Sequence, residues 1–242
     1  MIKETKYIEI HYTDKDIDYI NSLIDFIEKS EEEIVSFFDI ENFGIKVMLY
    51  LFDDLDCFRK SISTRSKRNE VPEWLCGYSF VENNKFIINT LCLQEYKKTM
   101  GHANYNLKDL EYLVMHEFVH SCQQKYIKFN TNVNRMPRWF IEGMATFVSH
   151  QYDNTELSFD ATLEEMIKGN TKYSNYYAMF LYVYNNYGKK YILELLENCD
   201  KLINETPYLF EEARKYYDGC IKINKEVKLW KQMILIMNYL KS

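Results

Sequence analysis

The chain has no surplus of positive charge. Its 36 acidic and 30 basic residues give a net charge of −6. No basic stripe with interleaved aromatics appears, which argues against an extended nucleic-acid surface. No run approaches the roughly 18 apolar residues that a membrane helix needs. The opening residues, Met1-Ile2-Lys3-Glu4-Thr5-Lys6, are polar and contain no apolar h-region. The six cysteines (57, 76, 92, 122, 199 and 220) are scattered and form no C-x-x-C pair. Reduced thiols in a cytoplasmic protein are therefore expected, rather than a disulfide framework. Internal repeats and low-complexity linkers are also missing. What remains is 242 residues with 47% hydrophobic content, enough for a real core in one domain or two closely packed lobes. The excess of tyrosine is a compositional bias and carries no functional signal.

One stretch does carry a signal, His116-Glu117-Phe118-Val119-His120. On a helix, residues four apart lie on one face one turn apart, so both imidazoles can reach one metal ion. Glu117 projects from the side of that face, where it can bond a metal-held water without being a ligand. Two histidine ligands favour zinc, which at catalytic sites takes three protein ligands and a water. Residues 107–127 contain no proline or glycine, and Met115, Phe118, Val119 and Cys122 recur at helical spacing. That apolar stripe lies roughly opposite the histidines. Cys122, on the stripe, is expected to be a core thiol rather than a ligand.

Downstream comes Pro137-Arg138-Trp139-Phe140-Ile141-Glu142-Gly143-Met144-Ala145. Pro137 suits the first turn of a helix. Glu142 then falls in the second turn, far enough past His120 for the chain to turn and a second helix to pack back. Gly143 and Ala145 beside it allow two helix backbones to approach closely. A glycine inside a helix costs about 1 kcal/mol relative to alanine, so a packing reason is expected.

Together these two segments resemble the gluzincin zinc peptidases, the thermolysin-like group whose third ligand is a glutamate on the next helix. The W-x-x-E-G-x-A form is most similar to the minimal, peptidase MA-like members. The similarity is firm over roughly residues 108–150, looser to about 198 and weak before 77. It implies His116, His120 and Glu142 as zinc ligands and Glu117 as general base. Some gluzincins place an aspartate one turn after the ligand glutamate, bonded to a ligand histidine; here that position is Thr146, which leaves the partners of the histidines open. The resemblance also implies a tyrosine near the metal as an oxyanion donor. Tyr173 fits that position, with Tyr176 and Tyr177 as alternatives. His102 is expected at the surface, and His150 at the surface or in the core.

The expected fold is α+β and zincin-like, a single domain over 1–242. An α/β lobe over 1–106 holds a small mixed sheet, and a mainly helical lobe over 107–242 carries the metal site, with the metal helix between them. Strands are expected over 6–12, 45–52, 76–82 and 85–90, the last two joined by an Asn83-Asn84 hairpin turn. One of that pair is, by resemblance, the edge strand that holds substrate. Helices are expected over 14–38, from 53 to about 64, over 160–168 and over 173–187. Another starts at Gly188, and two amphipathic helices follow from Pro207, the second with Leu229, Met233, Ile236, Met237 and Leu240 on one face. Residues 65–76 and 96–106 read as loops, the first with Arg65-Ser66-Lys67-Arg68 as a basic patch. The function expected is hydrolysis of peptide bonds in a peptide or protein substrate. A catalytically idle, zinc-stabilised binding domain is the alternative, and a metal-free structural domain a further one.

Overall fold

The computed structural model describes residues 1–66, 70–128, 135–153 and 157–239, with side chains as far as Gly219 apart from Ser66. The architecture is α+β: a five-stranded sheet in the N-terminal half and a mostly helical C-terminal half. The chain divides into two compact units, residues 1–135 with 144–153, and residues 136–143 with 154–242.

The first unit is built on a mixed sheet in the order β1-β2-β3-β5-β4. The strands are β1 (Ile2–Glu4), β2 (Ile8–His11), β3 (Val47–Phe52), β4 (Gly77–Glu82) and β5 (Lys85–Leu91). β2, β3 and β5 run parallel, and β1 and β4 flank them antiparallel. β3 alternates buried Val47, Leu49 and Leu51 with half-buried Met48, Tyr50 and Phe52. That period of two separates the faces of the sheet. Helix α2 (Leu55–Ser66) covers the second face, where Phe58 meets Phe52 and Ser61 accepts a hydrogen bond from Asn89. On the first face Phe86 meets Phe43 edge to face, and Phe43 stacks with Phe118 of helix α4 (Leu107–Tyr126). Helix α1 (Ile20–Phe37) packs on α4.

β4 turns into β5 through Asn83 and Asn84, both at positive φ as a two-residue hairpin needs. The pairing leaves β4 outermost at its end of the sheet, alongside α4. For the short β1 and for all but the last residue of the one-turn helix α3 (Leu93–Tyr96) the sequence gives no expectation. They are three and four residues long, too short for a periodic pattern to register. His102 is half-buried rather than at the surface. Its Nδ1 lies 2.7 Å from Thr99 Oγ1 and 3.3 Å from Cys76 Sγ, and burial pushes the Cys76 thiol up to about 11.

The second unit takes in the start of α5 (Arg138–Val148), then α6 (Leu163–Lys168), α7 (Tyr173–Glu197) and α8 (Cys199–Tyr239). Thr162 and Glu165 form a capping box at the start of α6, and Gly169 ends that helix in the left-handed conformation. α7 breaks at Gly188, which has φ +77°, where one helix is expected to end and the next to start. Trp139 is fully buried and donates its indole N–H to Thr206.

The two helices expected from Pro207 are one. α8 starts eight residues earlier than that proline and runs through it. Leu202, Thr206, Leu209, Phe210, Ala213 and Tyr217 share one face and are all buried. Burying that stripe outweighs the one backbone bond that Pro207 removes. The apolar face expected over 229–240 and the basic residues Lys67 and Arg68 lie outside the described side chains.

Candidate metal centre

α4 begins on a capping box. The Asn106 side chain accepts from the Lys108 N–H at 2.8 Å, and Asp109 accepts from the Asn106 N–H at 2.7 Å. Met115, Phe118, Val119 and Cys122 are all fully buried, so the apolar stripe faces the core as its spacing requires. Burial holds the Cys122 thiol well above its ordinary value, consistent with a core group and not a thiolate ligand.

The opposite side of α4 brings the two histidines together. Their rings stand edge to face, and their Nε2 atoms are 3.2 Å apart. Each Nδ1 faces a glutamine oxygen: Gln151 Oε1 lies 3.1 Å from His116, and Gln123 Oε1 lies 2.8 Å from His120. An amide oxygen only accepts, so with these glutamine oxygens as partners each Nδ1 would carry the proton and each Nε2 would present its lone pair to a metal ion. Fixing the tautomer from the far ring nitrogen is how metal-ligating histidines are ordinarily held.

Glu142, on α5, completes the group. The ligand atoms of His116, His120 and Glu142 all lie within 4.8 Å of one another, and the group is largely buried. Such a group can hold a metal ion. The donor set of two imidazoles and one carboxylate suits zinc chemically.

Glu117 follows His116 in the chain and is 6% exposed. Its carboxylate lies against Gly77, the first residue of β4: a Cβ there would stand 2.9 Å from Glu117 Oε1 and 3.0 Å from Leu113 Cδ1. Only glycine leaves the carboxylate that room. Gly143 plays the expected packing role, because a Cβ on it would come within 2.6 Å of the Tyr176 carbonyl oxygen on α7.

Tyr173 is the first residue of α7, half-buried, with its ring edge-on to Tyr176 at 5.6 Å. Tyr176 is buried, and its hydroxyl has no hydrogen-bond partner of ordinary geometry. Burial raises its pKa, against the pull of the Thr171 backbone and the Arg138 charge; Glu142 raises it further. Tyr177 is buried as well.

Three residues of this neighbourhood escape a reading of the motif alone. Gln123 is three residues after His120 and shares its helix face, so spacing reveals it. Arg138 is one turn before Glu142 and is legible in the same way. Gln151 is 35 residues from His116, and no local pattern pairs them. Thr146, which stands where some gluzincins have aspartate, is fully buried.

Next to Gln151, His150 lies at the end of α5 with φ +59°. Its Nδ1 is 2.6 Å from Asp153 and its Nε2 3.2 Å from Glu33 on α1. Burial works against the charged ring, but the Asp153 and Glu33 carboxylates outweigh it and raise the pKa. A raised folded pKa stabilises fully below the ordinary histidine value of about 6.5, and the gain disappears as pH climbs through the raised value. The pair is half exposed, so the effect is screened to about 0.2–1 kcal/mol. Urea melts of wild type and His150→Gln from pH 5 to 9 are expected to differ at the acid end and converge at the alkaline end. A constant difference across that range would contradict the assignment.

Comparison with known proteins finds no matching family, no matching curated protein and no matching solved structure. Among the described residues, no helix is long and apolar enough to cross a membrane.

Proposed function

We propose that the protein is a zinc-dependent metallopeptidase of the gluzincin type, with a zincin-like fold. The observation that carries this reading is the convergence of His116, His120 and Glu142, with Glu117 one residue after the first histidine. A zinc ion held there would act as a Lewis acid and lower the pKa of a water towards ~7. Glu117 takes a proton from the attacking water on a carboxylate oxygen and later delivers it to the departing amine nitrogen. The Tyr173 hydroxyl donates to the oxyanion that develops on the scissile carbonyl. β4 holds the substrate by strand addition, largely regardless of sequence; its place at the end of the sheet and its packing beside α4 support it over β5. The substrate is a peptide or protein, and no nucleic acid or membrane takes part. The five described cysteines are free thiols, which fits the cytoplasm.

The test is digestion of a peptide library by the purified chain, with and without a chelator, alongside metal analysis. Stoichiometric zinc, cleavage lost on chelation and cleavage restored by zinc are the expected results. Bound zinc without cleavage of any peptide would point to an idle, zinc-held binding domain. A metal-free preparation that gains none on incubation would leave a structural domain.

A further inference from the structure

We infer that Arg138 is a positioning residue that makes Glu142 bind metal through one carboxylate oxygen and so keeps a coordination place open. This rests on the triad binding a divalent ion, as proposed above. Arg138 and Glu142 are four residues apart on α5, and Arg138 Nη2 lies 2.6 Å from Glu142 Oε1. The Arg138 side chain is itself 52% exposed, so the burial lies on the side of its partner. The Glu142 side chain is only 5% exposed, and such a carboxylate needs a compensating charge or donor at all times. The stem of Arg138 is also held. A Cβ on Gly169, the residue that ends α6, would stand 2.8 Å from Arg138 Cγ and 3.3 Å from Arg138 Cβ, so the absence of a side chain at Gly169 makes the seat for the arginine.

The consequence is stereochemical. A carboxylate can give a metal one oxygen or both. With two imidazoles and a water, one oxygen makes four ligands and both oxygens make five. The guanidinium is a rigid donor fork that is always charged. While it engages Oε1, it shares that oxygen's electron density and takes one of its lone-pair directions, so Oε2 is the better donor left for a metal. Glu142 then ligates through Oε2, which is the arrangement an open catalytic position requires. In the metal-free chain the same contact keeps the buried carboxylate aimed, so the ion finds a formed site.

The experiment strips the full chain of metal, reloads it with Co2+ as a spectroscopic substitute, and compares wild type with R138M and R138K. Metal affinity is measured in parallel by competition with a chelating dye. Wild type should give the intense visible bands of four-coordinate cobalt. R138M should give the weaker, shifted bands of a five-coordinate ion, with affinity down roughly 10- to 100-fold, the usual cost of losing a hydrogen-bonded partner of a ligand. R138K keeps the charge and one donor and should restore the wild-type spectrum; a purely structural role for the arginine stem would not move the bands. If R138M does not fold, R138Q replaces it with the same expected spectrum. An unchanged spectrum and unchanged affinity in a folded R138M or R138Q would overturn the role of Arg138 and leave the metal centre standing. Failure of wild type to take up cobalt or zinc would remove the metal centre itself, and this role with it.

Discussion

Glu117→Gln is expected to keep the full metal content of wild type and to lose turnover by roughly 10²–10⁴-fold, the range that general acid–base groups supply. Glutamine has the shape of glutamate but cannot take a proton from water. Glu117 is 6% exposed, so a substitution of equal size preserves the packing against Gly77. His116, His120 and Glu142, on the same helix and on α5, are untouched. Peptide cleavage and metal analysis on the same preparation check both halves of the expectation. Full activity in the variant would remove Glu117 from the chemistry. Lost metal would mean that the side chain supports the site rather than the proton transfer.

The second large effect is expected at Gly143. A Cβ there would lie 2.6 Å from the Tyr176 carbonyl oxygen, 2.8 Å from Phe180 Cβ and 3.2 Å from the Tyr176 carbonyl carbon. Two of those three atoms are helix backbone, which cannot turn aside as a side-chain tip can. α5 and α7 must separate, and the buried contact of Phe140 with Phe180 loosens with them. Overpacking of this kind costs about 1–3 kcal/mol or more. It exceeds the gain of up to ~1 kcal/mol that alanine has over glycine in a helix. Gly143→Ala should therefore unfold at lower urea concentration than wild type, and metal affinity should fall, because Glu142 is the adjoining residue. Gly219 supplies the control. A Cβ added there meets nothing within 4 Å, so Gly219→Ala should be neutral or stabilising. A Gly143→Ala variant as stable as Gly219→Ala would show that the two helices yield easily.

Much of the arrangement is visible in the order of residues. α4 was legible because a buried helix face repeats every three to four positions, and Met115, Phe118, Val119 and Cys122 follow that repeat without interruption. The hairpin of β4 and β5 was legible because Asn83-Asn84 has few other uses between two runs of β-formers. Elements of three or four residues, β1 and α3, left no such trace. Pro207 misled for the opposite reason. A local rule against proline inside helices was overridden by a buried stripe that runs continuously from Leu202 to Tyr217.

The histidine spacing, the glutamate beside it and the later Glu142 were determined by the chain alone, because helical geometry turns a separation of four residues into a shared face wherever the helix forms. Tertiary structure decided what holds those groups. Gln151 meets His116, Gly77 makes room for Glu117, and Gly169 seats Arg138 through contacts between segments remote in sequence. Such contacts follow from how elements pack, and no periodicity within one element encodes them.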